Sequence, residues 1–469
     1  MKLIYNVNDK PKWTQVIVFA FQQLLAILAA TIAVPAIIGN GMSQSAALFG
    51  AGVGTMVYLL FTKFKSPVFL GSSFAFIGSM SAAFAGGVSA SAGYLGLILG
   101  VVMAGLVYVI IAIIVKFVGV GWINKIMPAI VIGPTVAIIG LSLSSNAVSD
   151  LMKGNVMITY SDWVSTGLEI PVGKEFPIMA CSPYAALVCG LVTLAVITLC
   201  SVYGKKMAKL IPFIIGILAG YVVAAIFTVI GHVADIDALL IIDFSKFQNM
   251  QWIPDFTFLK AFSGNYDFGD GGSFGTYLAT IAVAYIPVSF VVFTEHIADH
   301  KNLSSIIEHD LLEEPGLSRT LLGDGVGSMA GALFGGCPNT TYGESVGCVA
   351  ITGNASVVTI IVTAIMAMAV SFFAPFVTFL ATIPSCVMGG VCITLYGFIA
   401  VSGLKMIQNV DLGNNRNLFV VSVILICGVG GLTLTFGKVT ITTIACSLIL
   451  GILVNLMLGA KDKQDAENK

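Results

Sequence analysis

The sequence is poor in charge. Only 10% of its 469 residues are charged, 57% are hydrophobic and the formal net charge is −1. Soluble globular domains carry about 25% charged residues, so this composition excludes a soluble protein and indicates an integral membrane protein. The small net charge also gives no reason to expect a nucleic-acid partner.

Paired cysteines and a leader peptide are also missing. None of the nine cysteines belongs to a CxxC pair, so we expect small buried thiols and neither disulfides nor metal ligands. The opening residues MKLIYNVNDKPKW are not followed by a cleavage site after a short apolar run, which predicts no removable signal peptide. The sequence calls for no cofactor.

Long apolar tracts are abundant. A bilayer is crossed by about 20 apolar residues in a helix. The sequence contains about fourteen such tracts, near 14–38, 43–62, 67–90, 92–117, 126–148, 181–203, 207–232, 275–297, 321–336, 338–353, 354–379, 383–404, 417–437 and 439–459. We therefore predict an all-α membrane protein with about 14 transmembrane segments.

The positive charges predict an orientation. With a cytoplasmic N-terminus, 17 of the 22 Lys and Arg residues fall on the inner face and 5 on the outer face. This satisfies the rule that cytoplasmic loops are enriched in positive charge. We predict a multi-pass protein of the cell membrane with both termini cytoplasmic and with the long loops 149–180 and 233–274 outside.

Two short patterns recur. GAGVGTM at 50–56 returns as GDGVGSM at 323–329, and PAIVIG at 128–133 returns as PSCVMG at 384–389. In the predicted topology the two glycine segments run in opposite directions across the membrane. The repeat therefore predicts two inverted halves of seven spans each.

Both halves contain a span interrupted by proline and glycine. These are SPVFLGSSFAFIG at 66–78 and GCPNTTYGESVG at 336–347. An interrupted helix leaves backbone N–H and C=O groups that lipid cannot satisfy, so such a segment must be enclosed by protein or line a cavity. Matching broken spans in inverted halves are typical of a transporter site near the middle of the bilayer.

Two acids lie deep in apolar tracts, Glu295 in YIPVSFVVFTEHIAD and Glu344 in the second broken span. An ionised acid at that depth costs about 2.5–3.5 kcal/mol, so each is a functional candidate, the alternative being a protonated side chain that bridges two helices. Asp299 lies one turn after Glu295 and either shares a proton with it or is solvated at the inner surface. We expect Asp324 at the inner surface as well.

His296 and His300 are also one turn apart. The HExxH order of a zinc site is absent and no third ligand is evident, so we predict no metal site.

These residue types suit an uncharged ring. Carboxylates accept hydrogen bonds from ring N–H groups, and the free N–H groups of a broken helix donate to ring carbonyls. Phe74, Tyr342 and Tyr396 could cover the ring faces or be ordinary packing residues. No Lys or Arg lies in the interior of any tract, which argues against an anionic substrate.

Six motifs resemble one known family, the nucleobase-ascorbate transporters, also called nucleobase cation symporter-2. The resemblance covers nearly the whole chain. The motifs are LLAILAATIAVP at 24–35, FLGSSFAF at 69–76, TEHIADH at 294–300, DLLEEPGLSRTLLGDG at 310–325, PNTTYGESVGCVAIT at 338–352 and PSCVMGGVCITLYG at 384–397.

The resemblance implies an architecture. Fourteen spans would form two inverted seven-span repeats with short strands in broken spans 3 and 10, and the protein would often be a homodimer. A core domain would comprise residues 1–125 (spans 1–4) and 275–382 (spans 8–11). A gate domain would comprise residues 126–274 (spans 5–7) and 383–469 (spans 12–14 and the cytoplasmic tail).

The resemblance also implies a function, the import of uracil by proton symport through alternating access, and not an enzyme activity. The implied substrate-binding residues are Glu295, Glu344, Phe74, Gly343, Tyr342, Ser73, Ala30 and Tyr396, with the two glutamates on ring nitrogens and the backbone of Phe74 and Gly343 on a carbonyl oxygen. Glu295 and Asp299 would couple the proton. Relatives that carry xanthine or urate usually have glutamine in place of Glu344, which favours uracil.

Three positions depart from the family pattern. Asp299 replaces a histidine, Ser345 an asparagine and Gly353 an arginine. The departures leave open a carrier for another nucleobase, such as xanthine, another purine or thymine, and a facilitated uniporter. An anion carrier of the same fold, a channel and an intramembrane enzyme are further alternatives.

Overall fold

The computed structural model describes residues 3–119, 128–160, 176–205, 207–269, 272–408, 410–436 and 439–467. Helices dominate this part of the chain. They are α1 Trp13–Ile38, α2 Gln44–Phe61, α3 Ile77–Ala83, α4 Ala90–Val118, α5 Ala129–Ser142, α6 Ser144–Asp150, α7 Pro183–Tyr203, α8 Met207–Leu210, α9 Pro212–Ala234, α10 Thr257–Ala261, α11 Phe274–Ile307, α12 Leu317–Gly335, α13 Gly343–Thr352, α14 Val357–Val370, α15 Ala374–Thr382, α16 Ser385–Met406, α17 Asn415–Val429 and α18 Thr443–Glu467.

Strands are few and short. They are β1 Leu70–Ser72, β2 Met157–Tyr160, β3 Phe176–Met179, β4 Asn339–Thr341, β5 Leu434–Phe436 and β6 Val439–Ile441. They form the three antiparallel pairs β1–β4, β2–β3 and β5–β6. The prediction of short strands in the two broken spans is confirmed, because β1 and β4 lie there.

Among the described residues, eight helices are long and apolar enough to cross a membrane, and a ninth span is formed if the broken pair α14 and α15 counts as one. The remaining predicted tracts contain shorter helices, including α17 and the half-helix α13. The prediction of an all-α membrane protein is confirmed, and the count of fourteen spans stays a prediction.

The chain divides into two compact units. One comprises Met1–Ser142, Trp252–Phe373 and Tyr396–Lys469, and the other comprises Leu143–Gln251 and Ala374–Leu395. The division into core and gate domains, with its boundaries at 125, 274 and 382, stays a prediction.

The first unit is built around the contact between α2 and α12, where glycines from the two predicted repeat copies meet. A Cβ on Gly50 would lie 2.4 Å from the carbonyl oxygen of Gly331, and one on Gly54 would lie 2.8 Å from that of Gly327. A side chain at these positions would overlap backbone, so only glycine allows the approach. The register is antiparallel, as two inverted copies would require. The seven-span repeat itself stays a prediction.

The second unit also has glycines where its helices approach each other closely. A Cβ on Gly390 of α16 would lie 2.4 Å from the carbonyl oxygen of Gly190 on α7, and one on Gly220 of α9 would lie 1.9 Å from the Thr193 hydroxyl. Helices that approach this closely gain dispersion contacts along their backbones, which is the main source of helix association in lipid.

Candidate functional site

The two broken spans satisfy each other's backbone. Their strands β1 and β4 pair Leu70 with Thr341, Gly71 with Thr340 and Ser72 with Asn339. At the ends of the pair, the Ser73 N–H donates to the Pro338 carbonyl (2.8 Å) and the Tyr342 N–H to the Phe69 carbonyl (3.3 Å). The polar backbone that lipid could not accommodate is thus paired inside the protein.

Side chains of the α2–α12 contact hold the strand pair in place. The Leu70 N–H donates to the Thr55 hydroxyl (2.9 Å). The Asn339 side-chain amide donates to the Gly50 carbonyl (3.1 Å), and the Asn339 N–H donates to the Ser328 hydroxyl (2.8 Å). The glycine contact and the strands therefore form one structure.

Each strand leads into a short helix. A 3₁₀ turn at Phe74–Phe76 and α3 follow β1, and α13 follows β4 with Tyr342 in the capping position. Both begin beside the strand pair, so their first N–H groups, which have no partner within the helix, are concentrated there. Gly78 and Gly343 are exposed although most of their neighbours are buried, which shows that open space adjoins both helix starts.

Four acids belong to this region. They are Glu295 and Asp299 on α11, Asp324 on α12 and Glu344 in the first turn of α13. Glu295 lies within electrostatic reach of the other three. Asp299 is partly buried and accepts a hydrogen bond from the Thr341 hydroxyl of β4 (2.8 Å), so it lies on the strand pair and not at the solvated surface.

The expected surface position of Asp324 is wrong. Its residue surface is only 1% exposed, and one carboxyl oxygen lies 2.7 Å from Nδ1 of His296. The sequence repeat indicates this burial, because Asp324 occupies the position of Ala51 in the first glycine segment. That segment packs helix against helix, which forces its residues into the interior.

The predicted aromatic residues are tightly held. The rings of Phe74 and Tyr396 meet edge to face with centroids 5.9 Å apart. The Tyr342 hydroxyl donates to the Ser72 carbonyl (2.8 Å), and its ring covers Gly71 so closely that a Cβ there would lie 2.2 Å away. Tyr342 thus also stabilises the strand pair, a role that the sequence did not indicate.

Two predicted site residues, Ala30 and Ser73, and the departing position Ser345 are buried. Ala30 on α1 and Ser73 are 2% and 1% exposed, and the Ser73 hydroxyl has no hydrogen-bond partner in the described part of the chain. Ser345 accepts from the Phe69 N–H (3.0 Å) and from the Gln23 side-chain amide (2.5 Å). The serine that replaces the family's asparagine therefore joins α1, α13 and the start of β1.

We predict that Ser345→Ala lowers the free energy of unfolding by about 1–3 kcal/mol, because it leaves the buried Phe69 N–H without an acceptor and leaves the Gln23 amide only its longer bond to the Ser345 carbonyl (3.4 Å). Denaturation of the purified protein in detergent measures this loss. Ser73→Ala is the matched control, since it removes a hydroxyl without a partner, and its stability should stay near that of the wild type. Equal stability of the two variants would contradict the assignment.

Comparison with known proteins places this chain among transporters. The Xan_ur_permease model, described as a permease family, matches residues 14–437. The chain is 38% identical to the uracil permease of Bacillus caldolyticus, covering 100% of this chain and 97% of that protein. It is 35% identical to the uracil permease of Bacillus subtilis (strain 168), covering 99% and 98%, and 30% identical to that of Escherichia coli (strain K12), covering 96% and 93%.

Solved structures share the fold at low identity. The transmembrane domain of the cyanobacterial bicarbonate transporter BicA aligns with a TM-score of 0.59 at 14% identity, covering 96% of this chain and 99% of that one. The murine Solute Carrier 26 family member A9 anion transporter, in its inward-facing state, aligns with a TM-score of 0.61 at 11% identity, covering 97% and 69%.

Proposed function

The chain belongs to the Xan_ur_permease family, and from this premise we propose that it carries uracil across the cell membrane. Membership of a permease family makes it a transporter and not an enzyme. Three relatives at 30–38% identity, each aligned over nearly its full length, are named uracil permeases. The observation that carries the proposal is the meeting of two helix N-termini and several carboxyls beside one strand pair.

The site offers the groups that uracil needs. Uracil is an uncharged ring with two N–H donors and two carbonyl acceptors. Glu295 and Glu344 would accept from the ring nitrogens, and the first N–H groups of the two short helices, at Phe74 and Gly343, would donate to a carbonyl oxygen. Phe74 and Tyr396 would shield the ring from water.

Two neighbouring positions complete the proposed pocket. Ala30 and Ser73 are small residues that leave room for the ring, and Tyr342 shapes the wall between them. Glutamate at position 344, where the resembled xanthine and urate carriers have glutamine, favours the pyrimidine over those purines.

We expect Glu344→Ala to abolish uracil binding and Glu344→Gln to weaken it by roughly 10- to 100-fold, because a hydrogen bond to a charged acceptor contributes about 1.5–3 kcal/mol. Isothermal titration of the purified protein with uracil measures both. Glu313→Gln makes the same chemical change at an exposed acid away from the site and should leave the affinity unchanged. Unaltered affinity in Glu344→Ala would refute the assignment.

We further propose that each uracil enters together with a proton through alternating access. Glu295 lies within the reach of three other acids, one of them Asp299 a single turn away, and like charges at such distances favour a shared or retained proton. Since Lys and Arg lie only in loops and near the ends of the tracts, a proton is the available countercharge at the site. Glu295 and Asp299 would hold it while uracil is bound, although an aspartate stands where the resembled family has histidine.

Proton coupling predicts that an inward gradient of one pH unit drives up to about tenfold accumulation of uracil if one proton accompanies each molecule. Radiolabelled uracil uptake into proteoliposomes measures this, and collapse of the gradient with a protonophore is the control. Accumulation that never exceeds equilibrium with or without the gradient would show facilitated diffusion instead.

The fold alone leaves an anion carrier open, because the two solved neighbours are named for anion transport. The cluster of four acids in this chain is unfavourable for an anion, and no Lys or Arg lies in the interior of any tract to offset it. Homodimer formation stays a prediction.

A further inference from the structure

A buried hydrogen-bonded pair lies behind the proposed uracil site. His296 and Asp324 are 0% and 1% exposed, and His296 Nδ1 lies 2.7 Å from a carboxyl oxygen of Asp324. On the other side of the ring, Nε2 lies 3.0 Å from the Thr320 hydroxyl. The proposed uracil site uses neither residue.

The hydrogen bonds link the protonation of this pair to Thr320. While the Thr320 hydroxyl donates its hydrogen to the Leu317 carbonyl (3.0 Å), it accepts from His296 Nε2. With Nε2 protonated, the hydrogen between Nδ1 and Asp324 belongs either to the carboxyl or to an imidazolium. In both arrangements the pair carries one proton more than a neutral histidine beside an ionised aspartate.

A second chain of hydrogen bonds starts next to this pair. The imidazole rings of His296 and His300 have centroids 4.0 Å apart. His300 Nδ1 donates to the His296 carbonyl (2.8 Å), which leaves Nε2 facing the Tyr58 hydroxyl at 2.6 Å. The Tyr58 hydroxyl in turn donates to the Ser66 hydroxyl (2.7 Å). His300, Tyr58 and Ser66 are all fully buried.

This chain can run in two directions that differ by one proton. When His300 is neutral, Nε2 accepts from Tyr58 and Tyr58 accepts from Ser66. When His300 is an imidazolium, Nε2 donates to Tyr58 and Tyr58 donates to Ser66. Passing from the second state to the first moves one proton along the hydrogen bonds from His300 toward Ser66. Rotation of the hydroxyls then restores the starting directions.

At the Ser66 end of these hydrogen bonds, the preceding residue lines a polar cavity. Ser66 follows Lys65, which lines a cavity of about 390 Å³ together with Asn6, Asp9, His309 and Glu314. A hydrogen bond from Lys65 lowers the pKa of the Glu314 carboxyl, so this end is charged and accessible to water. The charge distribution of the sequence predicts that it faces the cytoplasm.

We propose that the proton imported with uracil passes to the His296–Asp324 pair and leaves through His300, Tyr58 and Ser66 to the cavity beside Lys65. This route is separate from the path of the substrate. The proposal rests on proton-coupled uracil transport. The carboxyl of Asp324 lies within electrostatic reach of Glu295, and its second oxygen has no hydrogen-bond partner among the described residues, so it is free to receive the proton. Transfer between the imidazoles requires the His300 ring to turn out of its bond with the His296 carbonyl.

Other titratable groups surround the route without forming part of it. The charges of Asp299 and Asp324 both reach the Tyr58 hydroxyl, and the Tyr108 ring on α4 meets the His296 ring edge to face at 6.4 Å.

Tyr58→Phe tests the route because it removes the hydroxyl that bridges His300 and Ser66 by short hydrogen bonds and leaves only their direct 3.4 Å contact. Uracil affinity and the exchange of labelled for unlabelled uracil at equal pH should stay within about twofold of wild type, since exchange requires no proton release. Net uptake driven by an inward proton gradient should fall roughly tenfold or more, the size of effect expected when a proton-transfer group is lost. Tyr285→Phe is the matched control, because it removes a buried hydroxyl that has no hydrogen-bond partner in the described residues.

The outcomes separate this inference from the proposed function. Wild-type protein that fails to couple uracil to protons would overturn the proposed function. If the wild type is coupled, equal net uptake by Tyr58→Phe and Tyr285→Phe would overturn the route. Should Tyr58→Phe lose exchange as well, Ser66→Ala decides: a selective loss of net uptake supports the route, and wild-type uptake refutes it.

Discussion

The pairing of β1 with β4 is the constraint on which the rest of this structure depends. A helix that stops inside a membrane leaves backbone groups without partners, each costing several kcal/mol in hydrocarbon. Here two broken spans supply partners to each other, and Thr55 and Asn339 fasten the strands to the glycine contact of α2 and α12. The same arrangement creates the site, because each strand ends where a short helix begins. The hydrogen bonds that satisfy the backbone of the broken spans therefore also shape the proposed ligand site.

The second feature of the site is its excess of acid. Three other carboxyls lie within electrostatic reach of Glu295, and the positive charges of the sequence are confined to loops and span ends. Such a cluster is stable in a membrane only when protons neutralise part of it. An uncharged substrate adds no charge of its own, so the protonation state of the cluster can change during transport without a penalty from the ligand. This is the physical reason for the proposed coupling of a neutral nucleobase to protons.

Features that depend on local pattern could be predicted from the sequence. The ends of α1, α2 and α4 match the apolar tracts within a few residues, and proline with glycine correctly located the broken spans. What depends on three-dimensional partners could not be predicted. The match of Asp324 to Ala51 in the repeat indicates burial, but only the packing of α12 shows that His296 is its partner. The sequence suggests no role for His296 and His300 beyond metal binding, since no sequence pattern reveals that Thr320 and Tyr58 face them.

The most direct test of this account is an experimental structure of the protein with uracil bound. We predict density for the ring beside the β1–β4 pair, with Glu295 and Glu344 at its nitrogens and the N–H groups of Phe74 and Gly343 facing a carbonyl oxygen. Uracil bound elsewhere, or in contact with neither carboxyl, would contradict the account.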